Sequence, residues 1–139
     1  MIAGRYDKAE LLVALWKLGA PPNERLPTFQ GILDCALQKV RDTLPLSLSS
    51  FTFSATGVGL RCYELPDILL AAQEAMLTSA SDLAYLSTSV TISREEAEEI
   101  VLNHEVDIAD AERIGGALFA ETARLKSELT KRSDGFAFR

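Results

Sequence analysis

Phe51-Thr52-Phe53-Ser54-Ala55-Thr56-Gly57-Val58-Gly59-Leu60-Arg61-Cys62 carries apolar residues at every second position in two consecutive runs. Period two marks a strand with one buried face, and Thr56-Gly57 fits a two-residue turn between the runs. With that turn the facing pairs are Ala55/Val58, Phe53/Leu60 and Phe51/Cys62. All three fall on one apolar face, and a slip of one residue would divide it. The stretch therefore predicts a β-hairpin over about residues 50–64. Leu46 and Leu48 fall out of phase with Phe51, which places a bulge or loop near Ser49-Ser50. Most of the remaining chain repeats at helical spacing, so this hairpin makes the fold α+β and mostly helical rather than all-α.

Towards the N-terminus, Leu11, Leu12, Leu15 and Leu18 recur at helical spacing, and Asp7, Lys8, Glu10 and Lys17 occupy much of the other side. They predict an amphipathic helix over Asp7–Leu18. Asp7 and Glu10 stand in capping-box positions, Gly19 suits the left-handed residue after the helix, and Pro21-Pro22 stop it. Trp16 belongs to the core or its rim. Thr28 is the expected N-cap of a second helix reaching about Thr43. Phe29, Ile32, Leu33, Ala36, Leu37 and Val40 form its apolar stripe, and Pro45 marks its end. Two helices joined by a short loop are expected to pack as antiparallel neighbours.

Beyond the hairpin, Leu65-Pro66-Asp67 opens a helix with Leu69, Ala72, Met76 and Ala80 on one side. From Thr78 to Ser93 eight of sixteen residues are Ser or Thr. A break, a short helix around Leu83–Leu86 and a third strand at Val90-Thr91-Ile92 are the expectations there. Ser93 with Glu96 forms a capping box, with Ile92 and Ala97 as the staple around it. Ala97, Ile100, Val101 and His104 share one face of the helix that follows. Asp107 with Asp110 marks a second start of the same kind, and Ile108, Ala111, Ile114, Leu118, Leu125 and Leu129 stripe a long final helix. Gly115-Gly116 interrupts it, through either a bend or a close helix crossing. The expected organisation is one domain over 1–139: a helical pair (1–45), the hairpin (46–65), three to four helices (66–132) and a tail (133–139) that is frayed, with docking of Phe136 and Phe138 as the alternative.

With 139 residues, 47% apolar and 24% charged, the chain can bury roughly two-thirds of its unfolded surface around one core. No apolar run reaches the length of a membrane span, and Met1–Asp7 lacks the apolar core of a signal peptide. A cytoplasmic protein with no membrane association is expected. Cys35 and Cys62 form no CxxC and no cysteine ladder, and behave as small hydrophobes. Residues 1–70 hold seven acids and seven bases, and residues 71–139 hold thirteen and seven, so the second half carries the whole net charge of −6. Direct nucleic-acid binding, which needs a basic patch, runs against that balance. A winged-helix alternative would use Gln30, Gln38, Lys39 and Arg41 with Arg61 on the wing, but Asp34 and Asp42 share that helix.

The acids concentrate between Ile92 and Glu112, where eight residues are acidic and only Arg94 is basic. Glu95, Glu96, Asp107 and Asp110 sit at helix starts, where acids oppose the helix dipole. Glu98, Glu99, Glu105 and Glu112 remain as candidate partner-binding residues. His104, the sole histidine, and Asp107 are weak metal candidates. No second histidine or calcium loop accompanies them, so neither a metal nor a cofactor is expected. No G-x-S-x-G elbow presents a nucleophile, and Gly57-Val58-Gly59 lacks the rest of a phosphate loop. In size, low pI and an amphipathic C-terminal helix the chain is similar to class I type III secretion chaperones, a resemblance that implies a homodimer binding an effector protein. The leading expectation is a small acidic, non-enzymatic interaction protein (an inhibitor, antitoxin-like or nucleic-acid-mimic regulator) that binds a protein partner with a basic surface. A small enzyme using carboxylate acid–base chemistry is the other alternative.

Overall fold

The computed structural model describes residues 5–27, 31–44, 53–56, 59–79 and 87–137. In order these form α1 (Arg5–Gly19), β1 (Leu26–Pro27), α2 (Ile32–Lys39) with a short 3-10 turn at Arg41–Thr43, β2 (Phe53–Thr56), β3 (Gly59–Cys62), α3 (Leu65–Glu74), β4 (Thr78–Ser79), β5 (Ser87–Val90), α4 (Arg94–Asn103) and α5 (Ile108–Ala137). The fold is α+β and mostly helical. No helix among the described residues is long and apolar enough to cross a membrane.

The first helix departs from its sequence reading. Every residue from Leu11 to Trp16 is buried, as are Ala9 and Leu18. A helix that is apolar all round belongs inside the core rather than on its surface, and α1 packs against α5, α4 and α3. Its flanks are therefore occupied, and α2 packs chiefly on α5 and β3 instead of lying beside α1. Each fully buried leucine of α1 contributes about 1.5–3 kcal/mol, which makes this helix the centre of the apolar cluster.

Gly19 is the last residue of α1 and not a left-handed cap: the one described glycine with positive φ is Gly31 (φ 73°), directly before α2. Gly19 is required for a different reason. α5 runs unbroken through Gly115-Gly116, and α1 crosses it there at backbone contact. A Cβ on Gly115 would overlap the Leu15 carbonyl oxygen and stand 3.0 Å from Gly19 Cα, and one on Gly19 would overlap the Gly115–Gly116 peptide. A Cβ on Gly116 would lie 3.7 Å from the Gly19 oxygen, an ordinary contact. The glycine pair thus marks a close crossing, and the bend alternative is discarded. Beside it the Trp16 ring meets Phe119 edge-on, centroids 5.8 Å apart at 68°.

The second helix is shorter than expected. Its backbone enters through Gly31 and ends at Lys39; Thr28 and Phe29 lie outside the described residues. Asp34 turns inward from it and accepts a 2.7 Å hydrogen bond from the Cys62 backbone N–H, tying α2 to the hairpin. The hairpin pairs Phe53↔Cys62, Ser54↔Arg61, Ala55↔Leu60 and Thr56↔Gly59. Its register differs by two positions from the one read off the sequence. A shift of two keeps the alternation in step, so Phe53 stands opposite Cys62 and Ala55 opposite Leu60. The expected turn residue Gly57 and the partners Phe51 and Val58 lie outside the described residues.

The Ser/Thr-rich segment forms a strand, β5, at Ser87–Val90 rather than Val90–Ile92. It is central, with antiparallel partners β1 (Leu26↔Thr88) and β4 (Thr78↔Val90) on its two sides. Pro27 is tolerated because β1 is an edge strand. The helix expected at Leu83–Leu86 lies outside the described residues. Met76, expected on the apolar side of α3, is 80% exposed with φ 62°. It follows the helix as its left-handed end residue, with Leu77 N–H bonded to Ala72 O and Met76 N–H to Gln73 O, a Schellman arrangement. The final helix continues to Ala137 instead of fraying at Ser133; Phe138 lies outside the described residues.

Two stability predictions follow from these contacts. Gly115→Ala should cost at least about 3 kcal/mol, because backbone overlap cannot be relieved by a rotamer change. Its neighbour Gly116→Ala should be neutral or stabilise by up to about 1 kcal/mol through helix propensity. Denaturant midpoints of the two variants test this, and equal effects would dismiss the crossing. Second, Thr88 is fully buried with a hydroxyl that has no hydrogen-bond partner among the described residues. Thr88→Val should therefore raise stability by about 1 kcal/mol; a fall in melting temperature would mean that the hydroxyl is bonded.

Candidate functional site

The acidic stretch folds as α4, a tight helix end and the first turns of α5. Ser93 Oγ accepts the Glu96 N–H at 3.1 Å, and the Ser93 N–H donates to Glu96 Oε1 at 3.2 Å, so the capping box forms. Ile92 and Ala97, the expected staple, are both buried. The second box does not form. Asp110 Oδ1 accepts from Arg113 at 2.9 Å instead, and Asp107 makes no side-chain hydrogen bond among the described residues.

The four candidate binding acids separate into two kinds. Arg94 Nε lies 3.5 Å from Glu98 and its Nη2 lies 3.0 Å from Glu112. One guanidinium therefore joins α4 to α5 and offsets both charges. Glu99 is exposed and makes no hydrogen bond or ion pair among the described residues, and Glu95, one turn earlier, is in the same state. Three residues after Glu99 comes Leu102, which is 55% exposed. Glu95, Glu99 and Leu102 stand at i, i+4 and i+7, so they share one outward face of α4.

Glu105 occupies a backbone position that favours glycine. Its φ is 62°, with Val106 N–H bonded to Val101 O at 2.8 Å and Glu105 N–H to Leu102 O at 3.0 Å. This Schellman end of α4 holds the Glu105 side chain in solvent beside the Leu102 face. A non-glycine residue in that conformation costs about 1 kcal/mol.

His104 takes its neighbours from α1 rather than from Asp107. Its Nε2 lies 3.9 Å from Glu10 Oε2, and one ligand atom each from His104, Glu10 and Asp7 falls within a 4.8 Å cluster. No hydrogen bond or ion pair joins His104 to Asp107 among the described residues. Asp7 and Glu10, expected as a cap, sit inside a helix that begins at Arg5, and Glu10 is turned towards the end of α4. The arrangement places two carboxylates beside the carbonyl end of α4, where negative charge is disfavoured, and the packing of α1 on α4 rests on their buried apolar residues.

The Cys62 thiol does not sit in an activating environment. Cys62 is buried and its Sγ lies 3.4 Å from Glu64 Oε2. Burial foremost, with the nearby Glu64 carboxylate, pushes the thiol up to about 12. No protein family model, curated protein or solved structure matches this chain.

Sequence periodicity located the acids but missed Leu102. The available signal was its position off the Ala97/Ile100/Val101 stripe, on the charged side of the helix.

The Cys62 environment gives a pH prediction. The unfolded thiol releases its proton near the ordinary value of 9.0, whereas the folded one keeps it to about 12. Its contribution to stability is complete below pH 9 and falls as pH rises through that window. Cys62→Ala should flatten the decline in unfolding free energy between those limits, and native Cys62 should resist iodoacetamide at pH 8 until denaturant is added. Rapid labelling of the folded protein, read by mass spectrometry, would contradict this.

Proposed function

We propose that this chain is a non-enzymatic interaction module whose α4 face binds a basic surface on a protein partner, acting as an inhibitor, antitoxin-like or nucleic-acid-mimic regulator. The supporting observation is the pairing of an exposed Leu102 with uncompensated Glu95 and Glu99 on a capped, tied-down helix. Apolar area at the centre supplies affinity once desolvated, and the acidic rim supplies orientation and association rate. Glu98 and Glu112 contribute less to the face than their sequence position implied, because Arg94 already offsets them. Glu105 extends the acidic rim past the helix end.

A partner of this kind has a lysine- or arginine-rich surface around an apolar depression that receives Leu102. Association should be fast at low salt and slow sharply as salt is raised, since rim charges act mainly on encounter.

The test is a low-salt pull-down followed by association kinetics on the captured partner. Glu95→Lys with Glu99→Lys should lower the association rate by about tenfold or more and remove its salt dependence, and Leu102→Ser should speed dissociation. A control with Glu121→Lys and Glu128→Lys, carrying the same change in net charge on α5, should bind normally. Glu105→Gly removes a rim carboxylate while relieving the backbone, so weaker binding with equal or higher stability would separate recognition from folding. If the α4 and α5 reversals bind alike, the face is not the interface.

A further inference from the structure

Away from α4's outer face, the loop after α1, strand β5 and the start of α4 enclose a cleft of about 540 Å³, within the size range of small-molecule sites. Its charge opposes that of the chain. Lys17, Arg25 and Arg94 line it against the single carboxylate of Glu24, three positive charges less one negative, or +2 in a protein of net −6. We propose that this cleft binds a small organic oxyanion, a carboxylate or phosphate attached to an apolar body.

Arg25 carries the proposal. Its Nε donates to Ser87 Oγ at 2.7 Å, its Nη2 to the Ser87 carbonyl at 3.1 Å and its Nη1 to Ser89 Oγ. Ser87 and Ser89 alternate along β5, so both present oxygens to the same side of the strand. Three of the five guanidinium N–H groups are thereby used, and each acceptor is neutral. The guanidinium is part-buried and held in place with no carboxylate partner among the described residues, so no neighbouring carboxylate neutralises it there. Two N–H donors remain, one on each Nη, on a planar cation of the kind that binds carboxylate and phosphate.

Lys17 adds a charge that makes no hydrogen bond or ion pair among the described residues, and Ser89 adds a hydroxyl to the lining. Trp16, Pro21 and Pro22 provide an apolar wall. The wall is fixed, because Trp16 Nε1 donates to the Glu24 carbonyl at 3.2 Å. Glu24 itself makes no ion pair with these cations among the described residues, so the charges of Lys17 and Arg25 are available to a ligand, while that of Arg94 is shared with Glu98 and Glu112. Positioned donors beside an apolar surface, formed before a ligand arrives, characterise small-molecule sites.

Trp16 is the only tryptophan in the chain and reports on the cleft directly. The full-length protein is titrated with inorganic phosphate, pyrophosphate and benzoate, followed by tryptophan fluorescence and by the amide resonances of Ser87–Val90. At least one probe should give saturable changes that weaken as chloride is raised. Lys17→Gln should weaken binding of that probe by about tenfold, the worth of one charge-assisted hydrogen bond. Arg25→Gln should abolish it; because Arg25 also braces β5, the fold of that variant is checked by circular dichroism, and Lys17→Gln, which removes no hydrogen bond or ion pair among the described residues, is decisive. Glu95→Lys with Glu99→Lys should leave the titration unchanged, which keeps this result separate from the α4 interface. The absence of any saturable response to the three probes, or a wild-type response matched by Lys17→Gln, overturns the proposal.

Discussion

The approach of α1 to α5 at Gly19, Leu15 and Gly115 sets the distances on which the other contacts rest. Two helices normally stand 8–10 Å apart because side chains separate them. Here the missing Cβ atoms let backbone meet backbone, and the flanking residues close around the crossing: Trp16 against Phe119, with Ala111, Ile114 and Leu118 buried along α5. Placing α5 so near one side of α1 leaves room for α4 and α3 to cover the others. Total burial of Leu11 to Trp16 follows from that three-sided enclosure.

The same enclosure fixes the elements that carry chemistry. His104 at the end of α4 meets Glu10 of α1, and Arg94 at its start bridges to Glu112 of α5. The helix is therefore held at its start by the Arg94–Glu112 ion pair and along its inner face by Ala97 and Val101. Its outer face keeps Glu95, Glu99 and Leu102 in a fixed arrangement, since none of the three helps to hold it. Rigidity of this kind lowers the entropy lost on binding.

Legibility in the sequence followed the range of the interactions. Hairpin parity, the Ser93/Glu96 box and the stripe of α5 are local, so period and spacing reveal them. The hairpin register was missed by two positions because a two-residue shift leaves the apolar pattern unchanged, and only turn geometry separates the two choices. Strands β1 and β4, two residues each, have no period to detect and exist because β5 supplies hydrogen bonds on both sides. α1 was read as amphipathic from its leucines, although the unbroken run Leu11-Leu12-Val13-Ala14-Leu15-Trp16 already signalled burial all round. Gly115-Gly116 announced that something unusual occurs in α5, but its partner Gly19 lies almost a hundred residues away. The cleft was illegible for the same reason: Lys17, Arg25, Ser89 and Arg94 come from separated segments in a chain whose overall charge is negative.

Arg94 connects the two surfaces. It lines the cationic cleft and also holds Glu98 and Glu112. An oxyanion in the cleft and these two carboxylates draw on the same guanidinium, so an anion that recruits Arg94 weakens its hold on them. Glu98 and Glu112 would then join Glu95 and Glu99 as uncompensated charges, making the acidic region more negative. The energy available is modest, because half-exposed ion pairs contribute about 0–1 kcal/mol each. Were both proposed ligands to bind, linkage would make any such effect mutual. A partner that neutralised Glu98 and Glu112 would likewise release Arg94 to the cleft. The acidic region and the small basic cleft thus meet at Arg94.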